Sequence, residues 1–212
     1  MTTKLLLYNQ ALGHLKVSEL VDLTEDVPHR YVLDTWYDTA CQIALEAGFW
    51  KFAMRSVKIE ADATITPNFG HPDAFNKPDD WVKTYQVSGS EFFEPPLETW
   101  IEESNCFFAS GSPIYLRYVS NNSTGYGMDL TKWTGRFQLY ISYLLASLAA
   151  PKASGSSDSL TGDMIKLAET KLQIALGFEA LREPPRRMQE GRWNGARRGW
   201  GGPVRLPGGY QF

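Results

Sequence analysis

The sequence predicts an α+β fold: a four-helix bundle with an antiparallel β-sandwich or barrel-like domain inserted between helices 2 and 3, plus an extended C-terminal arm. Apolar residues recur at helical spacing over residues 1–50 and 128–182. They alternate with a period of two over residues 51–127, and neither period continues through residues 183–212. We therefore expect a helical bundle from the first two ranges, an inserted β domain and a terminal arm.

The first half of the bundle is expected to contain two helices. Thr2 or Thr3 can cap a first helix, which is expected to end near Gly13. A second helix is expected to begin near Pro28, a good first-turn residue, and to continue to about Gly48. The apolar stripe predicted for this second helix consists of Val32, Trp36, Ile43, Ala47 and Trp50.

The second half of the bundle is expected to contain two more helices. Asp129 can cap a third helix that Pro151 closes. Its predicted stripe is Trp133, Phe137, Ile141, Leu144 and Leu148. Apolar residues on its far side predict burial on more than one side: Tyr140, Tyr143 and Leu145. A fourth helix is expected over residues 159–181, and its stripe is Met164, Ala168, Leu172, Ala175 and Phe178.

Four segments of alternating polarity predict the strands of the inserted domain. They cover residues 52–66, 80–87, 100–109 and 113–119. Turns are expected between them at FGHPD, SGS, EPP and ASGSP. Spacing of this kind is typical of a small antiparallel sandwich or barrel. The helices before and after it are then expected to complete one core across the gap in sequence.

The C-terminal arm, residues 183–212, differs in charge from the rest of the chain. It contains six Arg and two Glu, a net charge of +4, so residues 1–182 carry −7 of the whole-chain total of −3. Ordering thirty residues costs on the order of 30 kcal/mol, whereas burying four aromatic side chains gains only about 8 to 12 kcal/mol. The arm therefore predicts an extensive contact with a partner. The basic and aromatic residues of the arm are Arg186, Arg187, Arg192, Trp193, Arg197, Arg198, Trp200, Arg205, Tyr210 and Phe212.

The sequence offers no arrangement of residues that predicts catalysis or a metal site, and we expect neither an enzyme nor a cofactor. The three histidines and the two cysteines, Cys41 and Cys106, have no metal-ligand spacing and are too few for a disulfide framework. Glu102 and Glu103 are neighbours on a predicted strand, so their side chains point to opposite faces. Paired acid and base carboxylates need a common face.

Two further motifs have a structural and a chemical interpretation. Asp79 and Asp80 follow Pro78, and a solvated turn is the favoured interpretation of this pair. Trp81 and Trp100 are favoured as core or cross-strand aromatics, with a sugar-stacking platform as the alternative. The first residues show no signal-peptide pattern, and the sequence has no apolar run of eighteen residues. Synthesis in a reducing cytoplasm without membrane insertion is therefore expected.

Two pairs of segments resemble the podovirus head-to-tail adaptor family, also called tail tubular protein A or gatekeeper-type connectors. The first pair is LYNQALGHLKVSEL with WYDTACQIALEAGFWKFA, and the second is FQLYISYLLASLAAPKASG with MIKLAETKLQIALGFEA. A Gly-Trp-type element ends the family's second helix, and AGFW at 47–50 stands in that place. A Leu-Ala-x-Pro-like end closes its third helix, and LAAP at 148–151 stands there.

The resemblance implies a structural protein of the virion, made in the host cytoplasm and located at the head–tail interface. It implies a ring of twelve copies beneath the portal protein, with a tail nozzle protein on the opposite side. It also implies that duplex DNA passes through the lumen. An acidic body suits such a lumen, because tight DNA binding requires Lys or Arg to neutralise phosphates. The family's C-terminal arm reaches into the portal, which agrees with the partner expected for residues 183–212. By that resemblance, the ten basic and aromatic residues of the arm named above are the candidate portal contacts.

Two alternatives from other classes stay open at the level of sequence. One is a tail-associated carbohydrate- or peptidoglycan-acting enzyme that uses the Trp and Glu residues of the strand region. The other is a nucleic-acid-binding scaffold acting through the arm, since Arg and aromatic residues also suit single strands.

Overall fold

The computed structural model describes residues 3–67, 70–153 and 158–182, which form a mixed α+β structure. These residues contain four α-helices and two three-stranded antiparallel sheets. The helices are α1 (Lys4–Leu15), α2 (Pro28–Glu46), α3 (Gly135–Ala153) and α4 (Asp158–Leu181). The strands are β1 (Met54–Ile59), β2 (Asp73–Asn76), β3 (Trp81–Ser88), β4 (Trp100–Glu102), β5 (Cys106–Ala109) and β6 (Ile114–Ser120).

The chain divides into two units, Met1–Ala180 and Leu181–Phe212. Of the second unit, the structure describes Leu181 and Arg182. All the helices and strands except the last residue of α4 therefore belong to the first unit. The predicted arm, residues 183–212, lies outside the described residues.

Helix α1 begins as the sequence predicts and ends later. Thr3 is its N-cap, and the side chain of Thr3 accepts a hydrogen bond from the backbone N–H of Leu6 at 3.2 Å. The predicted end near Gly13 is wrong, because the helix continues to Leu15. Lys16 then takes the left-handed conformation at φ 57°, and its N–H donates to the carbonyl of Gly13. A lysine thus fills the capping position that glycine usually occupies.

Helix α2 matches the predicted range, but its buried face differs from the predicted stripe. Ile43 is 39% exposed, and Val32 and Trp36 lie only half-buried at the edge of the core. The buried residues of the helix are Leu33, Tyr37, Ala40, Cys41, Ala44 and Leu45. The face is displaced by one residue, about 100° around the axis. Small residues on this face let α3, which packs against α2, approach closely.

Helix α3 starts later than predicted. Asp129 caps a short 3₁₀ helix, Leu130–Lys132, and not the α-helix itself. Trp133 follows in an extended conformation and donates from its ring N–H to the carbonyl of Gly127 at 2.8 Å, so the α-helix begins after it. Pro151 lies inside the last turn. Burial on more than one side is confirmed by the residues Phe137, Tyr140, Ile141 and Leu145.

Helix α4 has the predicted bounds to within one residue, and Met164, Ala168 and Ala175 of its predicted stripe are buried. Its C-terminal half meets the segment that follows α2. The carboxylate of Glu179 accepts a hydrogen bond from the backbone N–H of Lys51 at 3.2 Å. The largest cluster of buried apolar residues includes members from all four described helices. The helices on both sides of the strands therefore share one core, as the sequence predicts.

The strands differ from the predicted segments in three places. Only Met54–Ile59 of the first predicted segment is a strand. The segment 100–109 is a hairpin of β4 and β5, because residues 103–105 turn between them. Strand β2 was predicted as turn and loop. The sheets have the orders β1–β6–β3 and β2–β5–β4, and both contribute to one hydrophobic cluster of Phe75, Val87, Phe107, Ala109, Ile114, Leu116 and Tyr118.

Candidate interaction surface

The ten candidate residues predicted from the sequence all belong to the arm, between Arg186 and Phe212, and lie outside the described residues. The candidate surface within the described residues is a different one. It lies in the connection between β3 and β4 and consists of residues 89–97, which we call the EFFE loop after its central Glu-Phe-Phe-Glu sequence.

Hydrogen bonds to β3 fix the backbone of the EFFE loop. The side-chain amide of Gln86 donates to the carbonyl of Phe93 at 2.6 Å, and the hydroxyl of Ser88 donates to the carbonyl of Pro95 at 2.8 Å. The N–H of Leu97 donates to the carbonyl of Val87 at 2.9 Å. The loop is therefore anchored at its middle and at its far end.

The two phenylalanines of the loop have different environments. Phe93 takes the left-handed conformation at φ 59°, which costs a non-glycine residue about 1 kcal/mol. Its ring is half-buried, with the guanidinium carbon of Arg117 4.2 Å from the ring centroid. Phe92 is 79% exposed. Ile101, on the following strand, is 46% exposed. Phe92 therefore lies next to a residue whose backbone is anchored to β3, and its own ring is open to solvent.

Within residues 84–116 every charged side chain is acidic, and the guanidinium of Arg117 on β6 lies beside Phe93. Residues 84–116 contain five Glu and no Asp, Lys, Arg or His. Glu91, Glu94 and Glu98 are exposed and flank Phe92 within eight residues of sequence. We call Glu91, Phe92, Glu94 and Glu98 the acidic–aromatic surface. A single exposed apolar side chain is ordinary. An anchored phenylalanine among carboxylates is the chemistry that a basic and aromatic ligand would match.

Glu102 and Trp81, two of the strand-region residues considered above for chemistry, make contacts between the two sheets. Glu102 of β4 accepts from the ammonium of Lys77 at 3.0 Å and from the hydroxyl of Thr84 at 3.0 Å. The same ammonium lies 3.9 Å from the ring centroid of Trp81. Both oxygens of Glu102 therefore have partners. A sugar ring stacking on this face of Trp81 would have to displace the Lys77 ammonium.

The tryptophan rings pack as cross-strand aromatics. Trp81 and Trp100 each make an edge contact with Phe107, at centroid distances of 6.4 and 5.8 Å. Phe107 is fully buried in the cluster between the sheets. The favoured interpretation of these two residues as packing aromatics agrees with the structure.

Asp80 is not the solvated turn residue that the sequence favours. Its carboxylate accepts from Arg55 at 2.7 Å, from Tyr118 at 2.8 Å and from Ser120. Burial acts to raise the pKa of Asp80, but these hydrogen bonds and the Arg55 charge hold it below its usual range. Asp79 is exposed. The interpretation as a solvated turn is therefore correct for Asp79 and wrong for Asp80, which cross-links the start of β3 to β1 and β6.

His14 occupies a junction of three helices. Its Nε2 lies 3.1 Å from the hydroxyl of Ser142, and its ring stacks on Tyr143 with the centroids 3.8 Å apart. Burial, and to a smaller extent the charge of Lys171 on α4, lowers the pKa of His14 below its ordinary value. The neutral imidazole is therefore the form that fits between the helices.

Burial suppresses the reactivity of one of the two thiols, that of Cys41. Cys41 is fully buried, and burial raises the pKa of its thiol to about 12. Within residues 3–67, 70–153 and 158–182, no group of three or more His, Cys, Asp or Glu side chains is placed to hold a metal ion. Among the described helices, none is both long and apolar enough to cross a membrane.

Comparison with known proteins adds no assignment: no family model and no curated protein sequence matches the chain.

Sequence reasoning missed the EFFE loop, which it treated only as a turn. Two signals were present. Turn segments rarely need two consecutive large apolar residues, and Phe92 and Phe93 are adjacent within one. The absence of any basic residue over 84–116 was the second signal. Which of the two phenylalanines faces solvent depends on the left-handed backbone of Phe93, and a residue pattern does not encode this.

Proposed function

We propose that this protein is a structural head-to-tail adaptor of a short-tailed phage. It forms a ring of twelve copies beneath the portal, links the capsid to the tail nozzle and lets duplex DNA pass through its lumen. Its location is the head–tail interface of the virion. In finer detail, the helices form a four-helix bundle and the two sheets form a small sandwich inserted between α2 and α3.

One observation carries the proposal: the segments that resemble the adaptor family are the segments that build and join the helical core. They cover most of α1, α2, α3 and α4, and residues from all four helices share one hydrophobic cluster. The strands are inserted between α2 and α3 without dividing that core. This order of elements is the one that the resemblance implies.

The Gly-Trp-type element, residues 47–50, has a physical role that supports the resemblance to the adaptor family. Trp50 is fully buried and donates from its ring N–H to the carbonyl of Ala44 at 2.7 Å, which fixes the end of α2. A Cβ on Gly48 would lie 2.5 Å from a methyl carbon of Leu176 on α4. Gly48 thus permits the close approach of α4, and Trp50 fills the space beside it. The element positions the last helix, from which the arm continues.

The charge distribution suits passage of DNA. Each copy carries −7 over residues 1–182. Carboxylates facing a lumen repel phosphates and leave no counterion release to drive binding. The arm, with +4, is the segment assigned to the portal, and its contact residues are proposed to be Arg186, Arg187, Arg192, Trp193, Arg197, Arg198, Trp200, Arg205, Tyr210 and Phe212.

The test is electron microscopy of the protein mixed with purified portal. Three chains are compared: the full chain, a chain ending at Arg182, and a full-length chain with the six arm arginines changed to Gln. The third chain keeps the length and aromatic residues of the arm and removes only its charge. We expect rings beneath the portal with the full chain and none with the truncated chain. Portal particles without rings in all three samples contradict the adaptor proposal.

Two assays address the alternative functions. Release of soluble glycan from host cell-wall material, lost on Glu102→Gln, would favour the tail enzyme. Salt-dependent DNA binding that disappears with residues 183–212 would favour the nucleic-acid scaffold. The adaptor proposal predicts neither result.

A further inference from the structure

We propose that the acidic–aromatic surface is the docking site for the C-terminal arm of a neighbouring copy of this chain. The surface and the arm are complementary in two respects. One carries Glu91, Glu94 and Glu98 without a basic residue between positions 84 and 116, and the other carries six Arg against two Glu. Each also presents aromatic side chains. The inference concerns the free chain in solution, before its arm makes the portal contact proposed above.

The geometry of the EFFE loop favours a ligand of this chemistry. Phe92 is 79% exposed on a backbone that three hydrogen bonds to β3 hold in place. Little ordering entropy therefore remains to be lost by the loop on binding. Arginine is the cation best suited to such a surface, because its planar guanidinium stacks on an aromatic ring while it pairs with a carboxylate. One ring of the loop, that of Phe93, already stacks with a guanidinium, which belongs to Arg117 on β6.

The arm meets the requirements of the surface in composition and length. It pairs Arg192 with Trp193, and Arg197 and Arg198 with Trp200. Thirty residues can span at most about 100 Å when extended. Its length therefore does not prevent it from reaching another copy. An arm on one copy and a surface on the next make a heterologous contact, which repeats from copy to copy and closes into a ring when the rotation allows.

Sedimentation of the full chain over a range of concentrations tests this contact. We expect self-association that weakens about tenfold or more between about 50 mM and about 500 mM salt, because exposed charges are screened. Phe92→Ala should weaken association about tenfold, which is the loss expected for one buried aromatic side chain. Its matched control is Val21→Ala, since Val21 is 87% exposed on another loop. That control should change association by less than about threefold.

A charge-reversal pair separates the surface from general electrostatics. Glu91→Lys with Glu94→Lys should weaken association about tenfold or more. Glu19→Lys with Glu169→Lys makes the same change in net charge at exposed positions elsewhere and should have a much smaller effect. An excess of a synthetic peptide of residues 183–212 should return the full chain to monomers.

Three results would overturn the inference. The first is a chain that stays monomeric at low salt. The second is equal weakening by the two charge-reversal pairs, or equal behaviour of Phe92→Ala and Val21→Ala. The third is an excess of the 183–212 peptide that binds the chain but leaves its self-associated form intact, since the arm would then not bridge copies. Portal binding is tested by electron microscopy, whereas this contact is tested by sedimentation of the chain alone. The adaptor proposal can therefore fail while this contact is confirmed, and this contact can fail while portal binding is confirmed.

Discussion

Replacing Asp80 with Ala is expected to destabilise the protein strongly, whereas the same change at Asp79 is expected to have little effect. The two residues are adjacent and chemically identical. Asp79 is exposed, and the side chain of Asp80 is only 14% exposed, with hydrogen bonds from three side chains. The pair therefore isolates the contribution of the network, because the residue replaced and the change in net charge are the same in both variants.

The expected loss follows from the groups that Asp80 leaves behind. The hydroxyl of Tyr118 belongs to a fully buried residue, and an unsatisfied buried donor costs about 1 to 3 kcal/mol. Arg55 is 34% exposed, so water replaces part of its ion pair and its contribution is at the low end, about 1 kcal/mol. We expect Asp80→Ala to lose about 3 kcal/mol in the free energy of unfolding. For a domain of this size that lowers Tm by about 6 to 12 °C.

Urea unfolding followed by tryptophan fluorescence measures the loss, and a double-mutant cycle with Tyr118→Phe tests its cause. Once Asp80 is absent, removing the Tyr118 hydroxyl also removes an unsatisfied donor. Tyr118→Phe should therefore lower the free energy of unfolding less in the Asp80→Ala background than in the native one, and the difference should be at least about 1 kcal/mol. Equal midpoints for the Asp79 and Asp80 variants, or strictly additive changes in the cycle, would refute the reasoning.

Three further predictions concern packing, pH and thiol reactivity. Gly127→Ala should lower the free energy of unfolding by about 2 kcal/mol or more, since its Cβ would meet a backbone carbonyl oxygen. Gly177→Ala should raise it by up to about 1 kcal/mol, because Gly177 is in an open helical position. Equal unfolding midpoints for the two variants contradict this prediction. Because the folded-state pKa of His14 is lowered, the unfolded chain binds more protons, and stability should fall as pH drops below about 6.5. His14→Phe should reduce the dependence of the free energy of unfolding on pH between about pH 5 and pH 7.5. An unchanged pH dependence in this variant contradicts the role given to His14. A thiol reagent should leave Cys41 unmodified until urea is added. The Cys106→Ser variant retains Cys41 as its single thiol, so its native state should not react with the reagent. A rapid reaction of this variant would show that Cys41 is accessible.

The helices were predictable from sequence because their signals are local. Caps, stripes and proline positions placed α1, α2 and α4 to within a few residues. The failures occurred where tertiary contacts override those signals. Lys16 takes a left-handed conformation although Gly13 is nearby, and α3 begins only after Trp133 has bonded to the carbonyl of Gly127. The buried face of α2 follows its packing against α3, and hydrophobicity alone ranks Ile43 above Ala44.

The strands were less predictable, since pairing partners decide them. Strand β2 is four residues long and has no clear alternation, yet Phe75 within it is fully buried between the sheets. The role of Asp80 depends on Arg55 and Tyr118, which lie 25 and 38 residues away in sequence. No local pattern connects these residues. The predicted arm lies outside the described residues, so both its extended form and its candidate contacts stay predictions.

The acidic charge of the body has two proposed consequences, and Phe92 separates them. In one role, carboxylates repel DNA from a lumen, and in the other they attract a basic arm. Salt weakens both interactions, so salt dependence alone cannot distinguish the two roles. Phe92→Ala leaves every charge in place and removes only an apolar contact. It should weaken contact between copies and leave the interaction with DNA unchanged. A variant that alters both would show that the EFFE loop faces the DNA path, and the arm of the neighbouring copy would then need another docking site.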